Sequence, residues 1–219
     1  QSKALELEIS KEECLEALKK ISKEELEALK FARSRIQEFS EHQKAKPWEY
    51  TSEGITLGEK VTAIDKVGIY VPGGSAAYPS SVLMNSIPAS VAGVKEIIMV
   101  VPSPKEEVNN IVLAAASLGG VDRIFRLGGA HSIAALAFGT DTIPKVNMIV
   151  GPGSQYVAEA KKELYGEVGI DSFAGPSEIL IIADSSANEE WIALDLFSQA
   201  EHDELAQSIL ISPDANLLK

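Results

Sequence analysis

Lys66-Val-Gly-Ile-Tyr-Val-Pro-Gly-Gly-Ser75 is an apolar run, too short for a helix, that ends in a proline and two glycines. Its β-branched and aromatic residues read as a strand entering a tight turn. Consecutive rather than alternating apolar positions place that strand in a sheet covered on both faces. Arg123-Ile-Phe-Arg-Leu-Gly-Gly-Ala-His131 and Met148-Ile-Val-Gly-Pro-Gly-Ser154 repeat the pattern. The first strand-like run is 67–71, further ones occupy 96–101, 179–183 and 208–211, and residues 109–118, 132–138, 155–165 and 189–202 have helical texture between several of them. Strands alternating with helices predict an α/β fold with a parallel sheet.

Upstream, the first 45 residues are rich in Glu, Lys, Leu and Ala. Leu15, Leu18, Ile21, Leu26, Leu29 and Phe31 recur at helical spacing, and Ser22 with Glu25 predicts a capping box opening a second helix. This is a helical N-terminal extension. From Gln43 to Lys66 the pattern breaks: Pro47, Gly54 and Gly58 among short β-branched runs predict a linker or a small hairpin.

Bulk properties narrow the function. A net charge of -12 excludes a basic nucleic-acid-binding stripe. No apolar run reaches the roughly 20 residues that span a bilayer, and the Lys/Glu-rich start lacks the apolar core of a signal peptide. The one cysteine, Cys14, forms no internal disulfide, and the expected location is the cytoplasm. Cys14 lies in an amphipathic stretch with no glycine-rich turn or neighbouring histidine, which predicts a packing role rather than a nucleophile.

Ligands of open α/β sheets collect at the carboxyl ends of the strands. The glycine-rich loops there, Pro72-Gly-Gly-Ser75, Gly128-Gly-Ala-His131 and Gly151-Pro-Gly-Ser154, free backbone N–H groups near helix starts, where a phosphate can approach closely. They match neither the dinucleotide fingerprint G-x-G-x-x-G nor the P-loop, so tight strand-to-helix turns alone also explain them. In Ala174-Gly-Pro-Ser-Glu178, Ser177 is either a hydroxyl for a ligand or a turn residue. Gln199 and His202, three apart, share a helix face. They are either two ligands of a zinc site, which needs about four, or a polar pair at a helix C-terminus, where the macrodipole favours histidine.

Taken in order, Gly68–Gly74, Ser80–Met84, Gly128–Ala130, Ile133–Gly139, Pro144–Val146, Gly151–Gly153, Ala174–Glu178 and Ser198–His202 resemble the histidinol dehydrogenase family from Asp65 to the end. The resemblance implies incomplete Rossmann-like units. Residues 1–66 form the helical extension and linker and part of the first unit, 67–175 the NAD-binding unit, and 176–219 the return into the first. It implies oxidation of L-histidinol to L-histidine through bound histidinaldehyde, with two hydride transfers to two NAD molecules. It also implies a zinc ion that orients the substrate without changing redox state, and a homodimer with shared active sites. Gln199 and His202 fall on zinc ligands that also touch substrate, Ser177 on a substrate-contacting serine, and Tyr70, His131 and Ser154 on the NAD site. Position 131 is His where the family usually has Gln, and position 154 is Ser where it usually has Asn; both replacements keep hydrogen-bonding capacity.

The chain stops at Lys219, about half the family's usual length. The resemblance puts the catalytic Glu-His pair, an Asp zinc ligand and a partner-donated His ligand beyond it. These 219 residues are therefore expected to be inactive alone, since loss of a general base costs on the order of 10²–10⁴ in rate. The competing class is a non-catalytic module that binds a nucleotide or a partner. An aldehyde-handling enzyme with a thiol nucleophile would need a cysteine that the sheet region lacks.

Overall fold

Reciprocal hydrogen bonds fix where the first helices begin. The computed structural model describes residues 7–73, 77–103, 107–173, 177–201 and 206–218. It opens with the short strand β1 (Glu8–Ile9) and the helix α1 (Lys11–Lys20). Ser10 Oγ accepts from the Glu13 N–H at 3.1 Å while Glu13 Oε2 accepts from the Ser10 N–H at 3.0 Å. The capping box expected at Ser22 and Glu25 forms in the same way at the start of α2 (Lys23–Gln43). The buried stripe of these helices is Cys14, Ala17 and Leu29, with Leu18 and Ile21 partly covered; Leu15 and Phe31, expected on that stripe, face solvent. Cys14 packs in the core as expected, and burial raises its thiol pKa.

The break after Gln43 is a hairpin. Strands β2 (Trp48–Ser52) and β3 (Ile55–Glu59) pair antiparallel. Glu53 and Gly54 connect them, both at positive φ (52° and 80°), as a two-residue hairpin turn that follows the strand twist requires. Trp48 stacks on Tyr50 along one face.

The remaining elements of the first compact unit, Gln1–Phe173, alternate as the sequence predicts: β4 (Lys66–Tyr70), α3 (Pro79–Ala92), β5 (Glu96–Val100), α4 (Asn110–Gly119), β6 (Arg123–Phe125), α5 (Gly129–Phe138), β7 (Met148–Val150), α6 (Gln155–Glu163) and β8 (Gly169–Ile170). They build one sheet in the order β1-β6-β5-β4-β7-β8. All neighbours run parallel except β1, which is antiparallel to β6. Successive side chains take opposite faces. Val67, Ile69, Ile97 and Met99 pack with α1–α4 in one apolar cluster, while Tyr70, Ile98, Val100 and Phe125 pack with α5 and α6 in another. The central strands are thus sealed on both sides, which is why they read as unbroken apolar runs. The helices of the extension belong to this layer, with α1 against α4 and α2 against α3.

The chain steps outward from β4 through β5 to β6, then returns to lay β7 on the other side of β4. That reversal is a topological switch point, where a crevice opens at the carboxyl edge of an open sheet.

The second compact unit, Ala174–Lys219, is a strand-helix-strand unit: β9 (Glu178–Ile182), α7 (Glu189–Ala200) and β10 (Gln207–Ile211). The strands pair parallel, from Gln207 opposite Glu178 to Ile211 opposite Ile182. Asn188 caps α7 by accepting from the Trp191 N–H at 3.1 Å. Leu180, Ile182, Ile209 and Ile211 are exposed, on one face of the pair by their register.

At the sheet edge, Arg123 donates two bonds of 2.7 Å to the Glu8 carboxylate and so holds β1 on β6. Arg123's hydrogen bonds hold the Glu8 carboxyl below the usual carboxylate range; burial opposes this, and the guanidinium charge adds to it. A lowered folded-state pKa gives stability that is present above the unfolded-state value and lost as pH falls through the folded one. Glu8→Gln should cost about 0.5 kcal/mol at neutral pH, because both side chains keep solvent contact. Denaturant midpoints should show the deficit at pH 7 and converge with wild type once acid has protonated Glu8; an equal deficit at both pH values would show that the bond contributes by shape alone.

Candidate functional site

The carboxyl edge of the first unit is set by backbone proximity. Gly151, directly after β7, has φ +104°, and a Cβ there would lie 2.2 Å from the Tyr70 carbonyl oxygen. Only glycine lets the β7–α6 loop rest on the end of β4 in this way. Tyr70 also reaches sideways: it is 4% exposed, and its hydroxyl accepts from the Gly129 N–H at 3.2 Å. Burial raises the Tyr70 phenol pKa, partly offset by that amide bond. One tyrosine therefore ties together the loops after β4, β6 and β7.

The expected nucleotide residues sit around this junction. His131 lies in the first turn of α5 and is exposed. Ser154 is the N-cap residue of α6, yet its side chain makes no capping bond and is exposed. Its hydroxyl is not committed to its own helix. Tyr70, by contrast, is buried against protein rather than open to solvent. Gly74 and Ser75 lie outside the described residues.

A group that sequence reasoning passed over lies beneath the same loop. Lys161 is 2% exposed; its Nζ donates to the Gly151 carbonyl at 2.9 Å and forms a short ion pair with Asp171 Oδ1. Asp171 Oδ2 accepts from the Gly151 N–H at 2.7 Å, and Oδ1 accepts from the Ser172 N–H at 2.7 Å. Lys161 reads as one of two basic residues in the last turn of α6. Its one signal in the sequence is its place four residues after Val157, on the helix face that turns inward.

In the second unit, Ser177 is exposed immediately before β9. Gln199 occupies the last turn of α7. Parallel pairing puts Ser177, just before β9, and Ala206, just before β10, at the same end, the amino edge of the pair. Among the described residues, Gln199 Oε1 is buried without a hydrogen-bond partner. An orphaned amide oxygen costs about 1–3 kcal/mol when buried, and a hard or borderline cation is a chemically apt partner for it. The other expected ligand, His202, lies outside the described residues, as do Ala174, Gly175 and Pro176. Among the described residues, no cluster of three or more His, Cys, Asp or Glu side chains could hold a metal ion.

An open parallel sheet with a reversal in strand order and glycine turns at its carboxyl edge defines an α/β protein of Rossmann-like class. Within that class, the chain belongs to the histidinol dehydrogenase family, whose model, described as Histidinol dehydrogenase, matches residues 1–219. It is 58% identical over 215 residues to histidinol dehydrogenase of Aromatoleum aromaticum, covering 98% of this chain and 49% of that protein. It is 59% identical over 214 residues to that of Nitrosomonas europaea, covering 97% and 50%. The crystal structure of histidinol dehydrogenase from Elizabethkingia anophelis superposes with a TM-score of 0.88 at 41% identity, over 98% of this chain and 50% of that one. The chain spans about half the length of these relatives. A more distant likeness, TM-score 0.53 at 13% identity, is to a propionaldehyde dehydrogenase from a Clostridium phytofermentans fucose utilisation microcompartment; it covers 92% of this chain and 55% of that one, and concerns the fold alone.

The contact between Gly151 and Tyr70 leads to a direct expectation. Gly151→Ala adds a methyl group against backbone at a φ that side chains rarely adopt, at a cost of about 1–3 kcal/mol. Thermal unfolding should register that loss, whereas Gly54→Ala, with open space around its Cβ, should incur only the smaller strain of positive φ.

Proposed function

We propose that this chain carries the nucleotide-binding part and two metal- and substrate-binding residues of a zinc- and NAD-dependent histidinol dehydrogenase. The single observation that carries this is the family match along residues 1–219; Tyr70, His131 and Ser154, after or at the carboxyl ends of β4, β6 and β7, support it. NAD held there would supply the hydride acceptor, two molecules in turn, for oxidation of L-histidinol to histidinaldehyde and of the hydrated aldehyde to L-histidine, and a zinc ion held by Gln199 and His202 would orient the substrate without changing redox state.

The residues divide the work. The uncapped start of α6 offers the Ser154 hydroxyl and free first-turn N–H groups to an anionic or ribose oxygen. His131, exposed at the start of α5, stands where it can hydrogen-bond the dinucleotide. Tyr70 acts from beneath, fixing the wall of the crevice by its bond to the Gly129 amide. The unpaired buried Gln199 Oε1 supports a metal role; His202, three residues on, supplies the second ligand and Ser177 a substrate hydrogen bond. A homodimer in the cytoplasm completes the proposal. Among the described residues no helix is long and apolar enough to cross a membrane, and the charge of -12 disfavours nucleic acid.

The acid–base pair of the reaction is not assigned to any residue of this chain, so it should not turn over histidinol unaided. The test is NADH formation from L-histidinol and NAD with zinc in excess, by the chain alone and mixed with the C-terminal half of the Nitrosomonas europaea relative. Activity should be absent alone, present in the mixture, and lost when Gln199→Ala is used. Steady turnover by the chain alone would refute the division of the site; silence in the mixture, with NAD still bound by calorimetry, would favour a nucleotide-binding module instead.

A further inference from the structure

A lysine that is 2% exposed and donates to a glycine carbonyl has an unusual position for a side chain that normally keeps its ammonium in water. The Lys161–Asp171 pair grips Gly151 from both sides: the ammonium takes its carbonyl at 2.9 Å, and the carboxylate takes its N–H at 2.7 Å. Gly151 is the residue pressed on the Tyr70 carbonyl, and three positions later Ser154 starts α6, the helix that also bears Lys161. The pair therefore joins the ends of β7 and β8 and the second turn of α6 to one loop. Only the ammonium is buried; Asp171 keeps solvent contact, and losing either partner would leave the Gly151 carbonyl or N–H without its bond. The pair answers a need of the loop backbone, whose path across the Tyr70 carbonyl is open only to glycine.

We infer that Lys161 and Asp171 are positioning residues for dinucleotide binding: their ion pair fixes the Gly151–Ser154 loop in the conformation that presents the Ser154 hydroxyl and the first-turn amides of α6 to NAD. They act through the loop backbone and do not touch the cofactor. The inference rests on the proposal that NAD binds at this edge. It goes beyond that proposal by locating the control of affinity in an ion pair outside the glycine turns.

The experiment is calorimetric titration of NAD into the 219-residue chain, with unfolding temperature measured on the same samples. The decisive variant replaces both charges with apolar groups, Lys161→Met with Asp171→Leu. NAD affinity should fall on the order of tenfold or more, as misplacement of a binding loop does, in a variant that the unfolding measurement shows to be still folded. The single variant Asp171→Asn, which keeps the shape and an acceptor but loses the charge, should retain more affinity than the double variant. A stable double variant with wild-type affinity would overturn the inference and leave the nucleotide proposal intact. Failure of the wild-type chain to bind NAD would overturn both. If the double variant unfolds, Asp171→Asn decides: unchanged NAD affinity in that folded variant counts against the inference, and a several-fold loss counts for it.

Discussion

The carbonyl of Tyr70 and the α-carbon of Gly151 approach so closely that a single added methyl group would sit 2.2 Å from the oxygen. Much of the first unit is arranged around that contact. Strand β4 is the pivot of the sheet, with β5 on one side and β7 on the other. A loop that leaves β7 must therefore cross close to the end of β4 before α6 can cover the face below. Ile98, Ile149 and Phe125, all 0% exposed, fill the face that α6 covers. Two constraints meet here: dense packing beneath, and a backbone path that needs a glycine. The Lys161–Asp171 pair satisfies the polar groups which that path leaves buried.

Much of this architecture is legible in the sequence because its signals are local. Unbroken apolar runs such as 96–101 report burial on both faces, and they become β5 between two clusters of opposite side. Ser22 and Glu25 announce α2 because a capping box is contained within four residues. The class of fold and the family follow from such features and from the order of the motifs.

Where the reading fell short, the determinants are remote in sequence. Strands β1 and β8 have two residues each and no period to detect; they exist because Glu8 meets Arg123 across 115 positions and because β7 offers an open edge. Helix α3 carries Pro88 in its interior, which argues against a helix until tertiary packing of Val82, Leu83 and Ile87 outweighs it. Leu15 and Phe31 looked apolar enough for the core, but the geometry of α1 and α2 gives that face to Cys14, Ala17 and Leu29. At the site, glycines and the Gln199–His202 spacing were visible, yet the glycines alone could not separate a ligand loop from a tight turn. What favours the ligand loop is the uncommitted Ser154 hydroxyl, which only the folded chain reveals. Little in the sequence sets Lys161 apart from Lys162 beside it, because its partner Asp171 is ten residues away, across β8.

The two units offer opposite electrostatics through the same element. The first presents the N-terminal ends of α5 and α6 at the carboxyl edge of its sheet, where the partial positive charge of the helix dipole suits phosphate oxygens. The second presents the C-terminal end of α7, with Gln199 in its last turn, where the partial negative charge suits a cation. Ser177 enters at that same amino edge, before β9. On the proposed function this polarity is what a metal-oriented hydride transfer requires. The nucleotide's anionic groups belong at helix starts, the cation belongs at a helix end, and neither needs a dedicated charged side chain in the first unit's turns. That explains how the glycine loops can lack the common dinucleotide fingerprint and still be suited to NAD: the field comes from the helix ends, and the loop backbone has only to be held where Lys161 and Asp171 hold it.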